Sequence, residues 1–123
     1  SSITRPRGTV KVLYHYKFPN AAGKSIVGLE VIYPPNGATP PHRHAGATVV
    51  VNVVEGKLLN GMNGNAPKVY EVGDSFMELP GCHRTVGENP RSESRTVLVA
   101  VFIVDTGVLK LGYDGLTVLD EGY

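Results

Sequence analysis

Hydrophobic and polar positions alternate with a period of two, or run continuously as β-branched residues, along most of this chain. Val10, Val12 and Tyr14 are interleaved with Lys11 and His15, and Ser25 to Tyr33 is a mainly apolar run rich in β-branched residues. Alternation of this kind marks strands, because successive side chains of an extended chain point to opposite faces. The pattern predicts strands at Thr9–Lys17, Ser25–Tyr33, Ala47–Val54, Gly56–Gly61, Lys68–Val72, Ser75–Leu79, Arg84–Gly87 and Thr96–Asp105. Pro19-Asn20, Pro34-Pro35-Asn36-Gly37, Asn60-Gly61, Asn63-Gly64-Asn65, Gly73-Asp74 and Asn89-Pro90 supply turns between them. No segment carries a long 3.6-residue repeat with helix caps. Gly112–Leu119 is open to either a short helix or a strand. The expected class is all-β, a sandwich or barrel of many short strands. Thr48 to Val54 is apolar on both faces, so that strand is expected to be central and covered on both sides, with a partner for Asn52.

Length and composition narrow the class further. The chain has 123 residues, suited to one domain, and 41% are hydrophobic, enough for a core. The 12 basic and 11 acidic residues give a formal charge of +1 and form no basic stripe, so neither nucleic acid nor an anionic membrane is an expected partner. The longest apolar run, Val97 to Val104, is too short to span a bilayer as a helix. The start, Ser1 to Arg7, lacks an apolar segment, and Cys82 is the sole cysteine. Both features fit a cytoplasmic protein without disulfides.

The chemistry concentrates in two segments. Of four histidines, His42, His44 and His83 lie in Gly37–His44 and Gly73–His83. Residues i and i+2 of a strand share a face, so His42 and His44 can aim both imidazoles at one point. Nitrogen ligands hold a metal at roughly 2 Å, and such a pair suits a metal site. Arg43, between them, must point the other way. His15 reads as a surface histidine and Cys82 as a small buried turn residue. Tyr14, Tyr16, Tyr33 and Phe76 are candidates for the barrel mouth or for the core.

These segments resemble the two motifs of the cupin superfamily. Its first motif is a Gly, a short gap, His-x-His, three or four residues, a Glu, six residues and a Gly. Gly37, His42, His44 and Gly56 match, with the first gap one residue short. Its second motif is a Gly, five residues, Pro-x-Gly, two residues, a His, three residues and an Asn. Gly73 and Gly81 match, and Pro80 lies beside the proline position. The segment between the motifs, Lys57–Val72, has the expected length. The resemblance spans residues 37–89. It implies a double-sheet jelly-roll barrel with a metal in its mouth.

Two departures from the motifs bear on the site. The motif glutamate falls at Thr48 or Val49, neither of which is a carboxylate. Strict counting from Gly81 puts the third histidine at Arg84, while a loop shortened by one residue puts His83 there. The expected metal ligands are His42, His44 and His83, around an Fe, Mn, Ni, Cu or Zn ion. Under the strict count, Arg84 enters the site instead and binds a carboxylate or enolate. Glu78 is a candidate acid, base or ligand.

The expected function is an enzyme acting on a small oxygen-rich molecule, such as a dicarbonyl, enol or phenol. Oxygenation, or isomerase, cyclase or lyase chemistry through an enolate, would follow from the metal's redox class. A metal-free site using Arg84, Glu78 and histidine, and a non-catalytic ligand-binding module, are the alternatives. A homodimer through the edge strand Thr9–Lys17 is expected, since a jelly roll leaves edges to be paired.

Overall fold

A computed structural model describes residues 5–121. The stretch read for a leader segment begins in residues 1–4, which lie outside the described residues. Eleven strands follow in chain order: β1 (Thr9–Lys17), β2 (Lys24–Tyr33), β3 (Ala38–Thr39), β4 (His42–Arg43), β5 (Thr48–Glu55), β6 (Lys57–Met62), β7 (Lys68–Glu71), β8 (Ser75–Glu78), β9 (Arg84–Glu88), β10 (Thr96–Asp105) and β11 (Val118–Leu119). The open segment near the C-terminus resolves into both alternatives, a 3₁₀ turn at Asp114–Leu116 and then β11. No helix among the described residues is long and apolar enough to cross a membrane.

The strands form two antiparallel sheets. One runs β1-β2-β10-β5-β8; the other runs β11-β4-β9-β6-β7, with β3 also paired to β9. Their inner faces close on a core that includes Val27, Leu29, Tyr33, Val51, Val53, Leu58, Leu98, Phe102 and Val104. In β5 the alternation is clean on the inside: Val49, Val51 and Val53 are buried. The outer face differs from the sequence expectation. Val50 is half-buried, and Asn52 and Val54 are exposed. This fold has one interior, so only one face of each strand can be fully covered. Asn52 therefore meets solvent, and no protein partner is required of it. β10 lies between β2 and β5, and its apolar run is the most continuous.

Two turns fix how the motifs enter the barrel. Gly56, between β5 and β6, has φ +81°. A Cβ there would lie 2.6 Å from the Arg95 carbonyl oxygen. Gly81, before β9, has the same φ, +81°, but a Cβ would meet nothing within 4 Å. Both positions favour glycine for conformation, and only Gly56 also needs it for space.

The two effects separate by mutation. Gly81→Ala should cost about 1–2 kcal/mol, the penalty of left-handed backbone for a residue with a Cβ. Gly56→Ala should cost that plus about 1–3 kcal/mol of forced backbone movement. Urea unfolding of the two variants measures the difference; equal losses would show that the Gly56 turn has room.

Candidate active site

The His-x-His segment is only half strand. β4 ends at Arg43, and His44 begins a tight loop in which Ala45 and Gly46 have φ of 49° and 77°. The two imidazoles converge all the same, with Nε2 atoms 3.1 Å apart and rings inclined at 76°. Arg43 points away as expected; it is exposed and donates to the Gly81 carbonyl at 2.8 Å.

Each ring is fixed from behind. His42 Nδ1 lies 2.7 Å from the Pro40 carbonyl oxygen, and His44 Nδ1 lies 2.9 Å from that of Leu116. A carbonyl can only accept, so both Nδ1 atoms carry the hydrogen. In the neutral rings both Nε2 atoms are then bare lone pairs. Two lone pairs at 3.1 Å repel unless a proton or a cation joins them. Burial pushes the His42 pKa down to about 4, with the Arg84 charge and His44 adding to it, against the pull of the Pro40 carbonyl and Glu78. His42 is therefore neutral at pH 7.

The carboxylate of the site comes from a different strand than the motif implies. Val49 occupies one of the two positions of the absent glutamate, and β5 pairs with β8 so that Val49 faces Glu78. Directly paired residues project to the same side of a sheet. Glu78 thus enters the interior beside the position it replaces. It is 1% exposed, and Oε2 lies 3.4 Å from His44 Nε2. Neither carboxylate oxygen has a hydrogen-bond partner. Burial alone would raise its pKa, but His44, Arg84 and His42 outweigh that and hold it below the usual carboxylate range. Glu78 is ionised.

The third-histidine position holds Arg84, as strict counting has it. Arg84 pairs with His42 across β4 and β9, which turns its side chain inward. It is 6% exposed. Its Nε donates to Asn60 Oδ1 at 2.7 Å, and its Nη2 is buried with no partner. Gly87 makes room for it: a Cβ there would lie 2.8 Å from the Arg84 Cζ.

His83 is not brought to the site, which corrects the expectation that it is the third ligand. It does not line the cavity; its Nε2 lies 2.9 Å from Asp120 Oδ2, and its backbone N–H donates to Asn63 Oδ1. The loop is not shortened, and alternation sends neighbours to opposite faces. Cys82 is half-buried, and burial and Glu78 push its thiol pKa up, so it stays protonated. Tyr33 lines the cavity. Phe76 lies beneath the Arg84 guanidinium at 5.9 Å. Tyr14 and Tyr16 stack on each other outside the cavity.

Two residues that serve the site carry no chemical signal in the sequence: Asn60, which falls in both a strand and a turn signal there and is buried inside β6, and Gly87, which clears space for Arg84. Sequence reading also missed the Leu116 carbonyl. No residue-type signal marks a backbone carbonyl.

His42, His44, Glu78 and Arg84 sit in one wall of a cavity of about 540 Å³. The other walls are mainly apolar, with Leu29, Val31, Val51, Leu98, Ala100 and Phe102. Ligands sharing one ion at about 2.1 Å, at angles of 90–110°, lie about 3.0–3.4 Å apart. The two contacts here, 3.1 Å and 3.4 Å, have that spacing. Among the described residues no three His, Cys, Asp or Glu close into a finished cage. The donors form an open row in which Glu78 touches His44 alone.

Residues 29–115 match the family model described as "Cupin domain". A putative germin-like protein 2-2 from Oryza sativa subsp. japonica is 32% identical over 99 residues, covering 76% of this chain and 43% of that protein. The chain spans less than half the length of the curated relatives it matches. Among solved structures, the DMSP lyase DddQ from Ruegeria pomeroyi DSS-3 superposes with a TM-score of 0.69 at 18% identity, covering 98% of this chain and 55% of that one. An oxalate oxidase in complex with the substrate analogue glycolate superposes with a TM-score of 0.64 at 24% identity, covering 90% and 60%. At these identities the structural likenesses establish the fold.

The buried groups give a pH dependence of defined sign. His42 has its folded pKa depressed from 6.5 to about 4, so the unfolded chain binds a proton first as pH falls. Stability is then lost on acidification. Glu78, also depressed, acts in the same direction below its unfolded value. Chelator-treated protein should lose about 2–3 kcal/mol between pH 7 and pH 4.5 from His42, read by urea unfolding. His42→Asn should flatten this slope; an unchanged slope would show that His42 is not its source.

Proposed function

This chain belongs to the cupin family, and from that premise we propose that it is a small enzyme holding a divalent transition metal at His42, His44 and Glu78. One observation carries the reading. Two imidazole Nε2 atoms and an ionised carboxylate that makes no hydrogen bond meet inside the barrel, with contacts of 3.1 Å and 3.4 Å. A cation relieves that arrangement. The donor set, two histidines and one carboxylate, suits Fe, Mn, Ni, Cu or Zn. The enzymes among its structural neighbours, an oxalate oxidase and a DMSP lyase, support catalysis as a use of this barrel.

A bound metal would polarise substrate oxygens or, if redox-active, support oxygenation. The chain's own residues do the rest. The Pro40 and Leu116 carbonyls keep the imidazoles in the ligating tautomer. Glu78 offsets the positive charge and can carry a proton to or from an enolisable substrate. Arg84 adds a fixed charge at the pocket wall, and the apolar walls exclude water. The substrate is a small oxygen-rich organic molecule, turned over by oxygenation or by enolate-type isomerase, cyclase or lyase chemistry.

A metal-free acid–base site is the second reading, and Arg84 favours it. A fixed cation at the third-ligand position opposes a second one. We further propose a homodimer through β1, an edge strand with Val10, Val12, Leu13 and Tyr16 exposed; a monomeric mass by light scattering at micromolar concentration would overturn it.

Element analysis of protein purified without an affinity-metal column decides between the two site readings. The expected result is close to one transition-metal ion per chain. His42→Ala, His44→Ala and Glu78→Gln should each lower metal affinity by at least about 10–100-fold, since each removes a ligand and even outer partners cost that much. His83→Ala should leave the metal in place. Metal-free native protein would establish the second reading, and metal lost with His83→Ala would restore the histidine triad.

A further inference from the structure

Arg84 has an unmet requirement that the proposed metal does not answer. Its guanidinium is all but buried, and Nε is already taken by Asn60. Nη2 is buried with no acceptor within reach. The face of Phe76 supports the group at 5.9 Å but accepts no conventional hydrogen bond. Leaving a buried charged donor unpaired is costly. The sequence also makes space for this particular group, because any Cβ at position 87 would lie 2.8 Å from the Arg84 Cζ and 2.9 Å from Nη2. A metal cation repels a guanidinium and cannot satisfy it. An anionic oxygen can, and the planar fork is matched to a carboxylate.

Beyond the site residues the cavity has polar lining at Arg7, Thr39, Asp114 and Thr117 and one continuous apolar wall, which describes the other end of the ligand. Leu29, Val31, Val51, Leu98, Ala100 and Phe102 line it, and they offer side chains without hydrogen-bonding groups. A polyhydroxylated ligand such as a sugar would lose its hydration against these walls without replacement. A hydrocarbon or aromatic body gains by burial there. The volume, about 540 Å³, accommodates a small organic molecule.

We infer that the pocket binds a monocarboxylic acid with an apolar body, its carboxylate on Arg84 and its body along the β2–β10–β5 wall. The inference rests on the reading of this cavity as the substrate site and narrows its oxygen-rich substrate to one whose oxygens lie at the charged end and whose remainder is apolar; it does not rest on the metal. Arg84 is then the residue that selects for charge, and Gly87 positions it.

Octanoate and its uncharged counterpart octanamide are suitable probes, titrated calorimetrically into chelator-treated protein and into protein reloaded with Mn²⁺. The expected result is octanoate binding in the chelator-treated protein, roughly 10–100-fold tighter than octanamide, the value of a charge-assisted pair over a neutral one. Arg84→Gln should bring the two probes level, and Arg84→Lys should restore part of the difference. Thermal unfolding of each variant confirms that it is folded. Equal binding of the two probes to the wild-type protein, or binding of neither, would overturn the inference without any variant. Octanoate selectivity that appears only with Mn²⁺ and survives Arg84→Gln would also overturn it, while leaving the metal reading intact. Arg84-dependent selectivity in a protein that binds no metal would uphold the inference and remove the metal reading.

Discussion

Glu78 lies ionised on the inner face of β8, and no protein donor reaches either of its oxygens. Desolvating a carboxylate costs several kcal/mol unless its charge is met nearby. Here it is met at a distance and in part, by the Arg84 charge. The rings themselves are not free to help further, because Pro40 and Leu116 hold their Nδ1 hydrogens away from the carboxylate. This one uncompensated anion explains the tension in the site. The barrel gathers acceptors, and the unpaired donor of the same cavity, Arg84 Nη2, makes no hydrogen bond to them.

The charge arrangement has shifted relative to the cupin motifs while the geometry has not. The carboxylate is absent from β5 and stands instead on β8, facing Val49 across the pair. The third imidazole is absent from β9, and a guanidinium occupies its place, with Gly87 clearing the space. Glu78 and Arg84 together carry no net charge. A divalent ion added to them leaves the pocket positive, and an anionic ligand restores the balance. Metal and substrate would therefore support each other's binding in this pocket.

The apolar barrel makes these few charges effective. Val27, Val51, Leu98 and Phe102 exclude water behind the site, which strengthens electrostatic interactions in front of it. The same low polarity pushes the His42 pKa down to about 4 and keeps Nε2 available as a lone pair at neutral pH. Core and site are thus coupled: the inward valines of β5 lead directly to Val49, beside Glu78.

Much of this was legible in the residues alone. Period-two patterning with Gly, Pro and Asn turns determined the eight longer strands to within a residue or two, because alternation is a local property of extended chain; the two-residue strands β3, β4 and β11 are too short to carry it. His42 and His44 declared themselves by spacing, and Glu78 and Arg84 were recognisable as chemically apt. Which way residues 83 and 84 face was decided by tertiary structure, since a one-residue slip reverses every side chain and only the pairing of β9 with β4 sets the phase. The outer face of β5 was likewise undecided, because an apolar run does not say how many layers will cover it. The tautomers of the imidazoles depend on carbonyls of Pro40 and of Leu116, the latter 72 residues beyond His44. A backbone carbonyl has no signature in sequence; only the folding of the C-terminal segment back against β4 gives it a role.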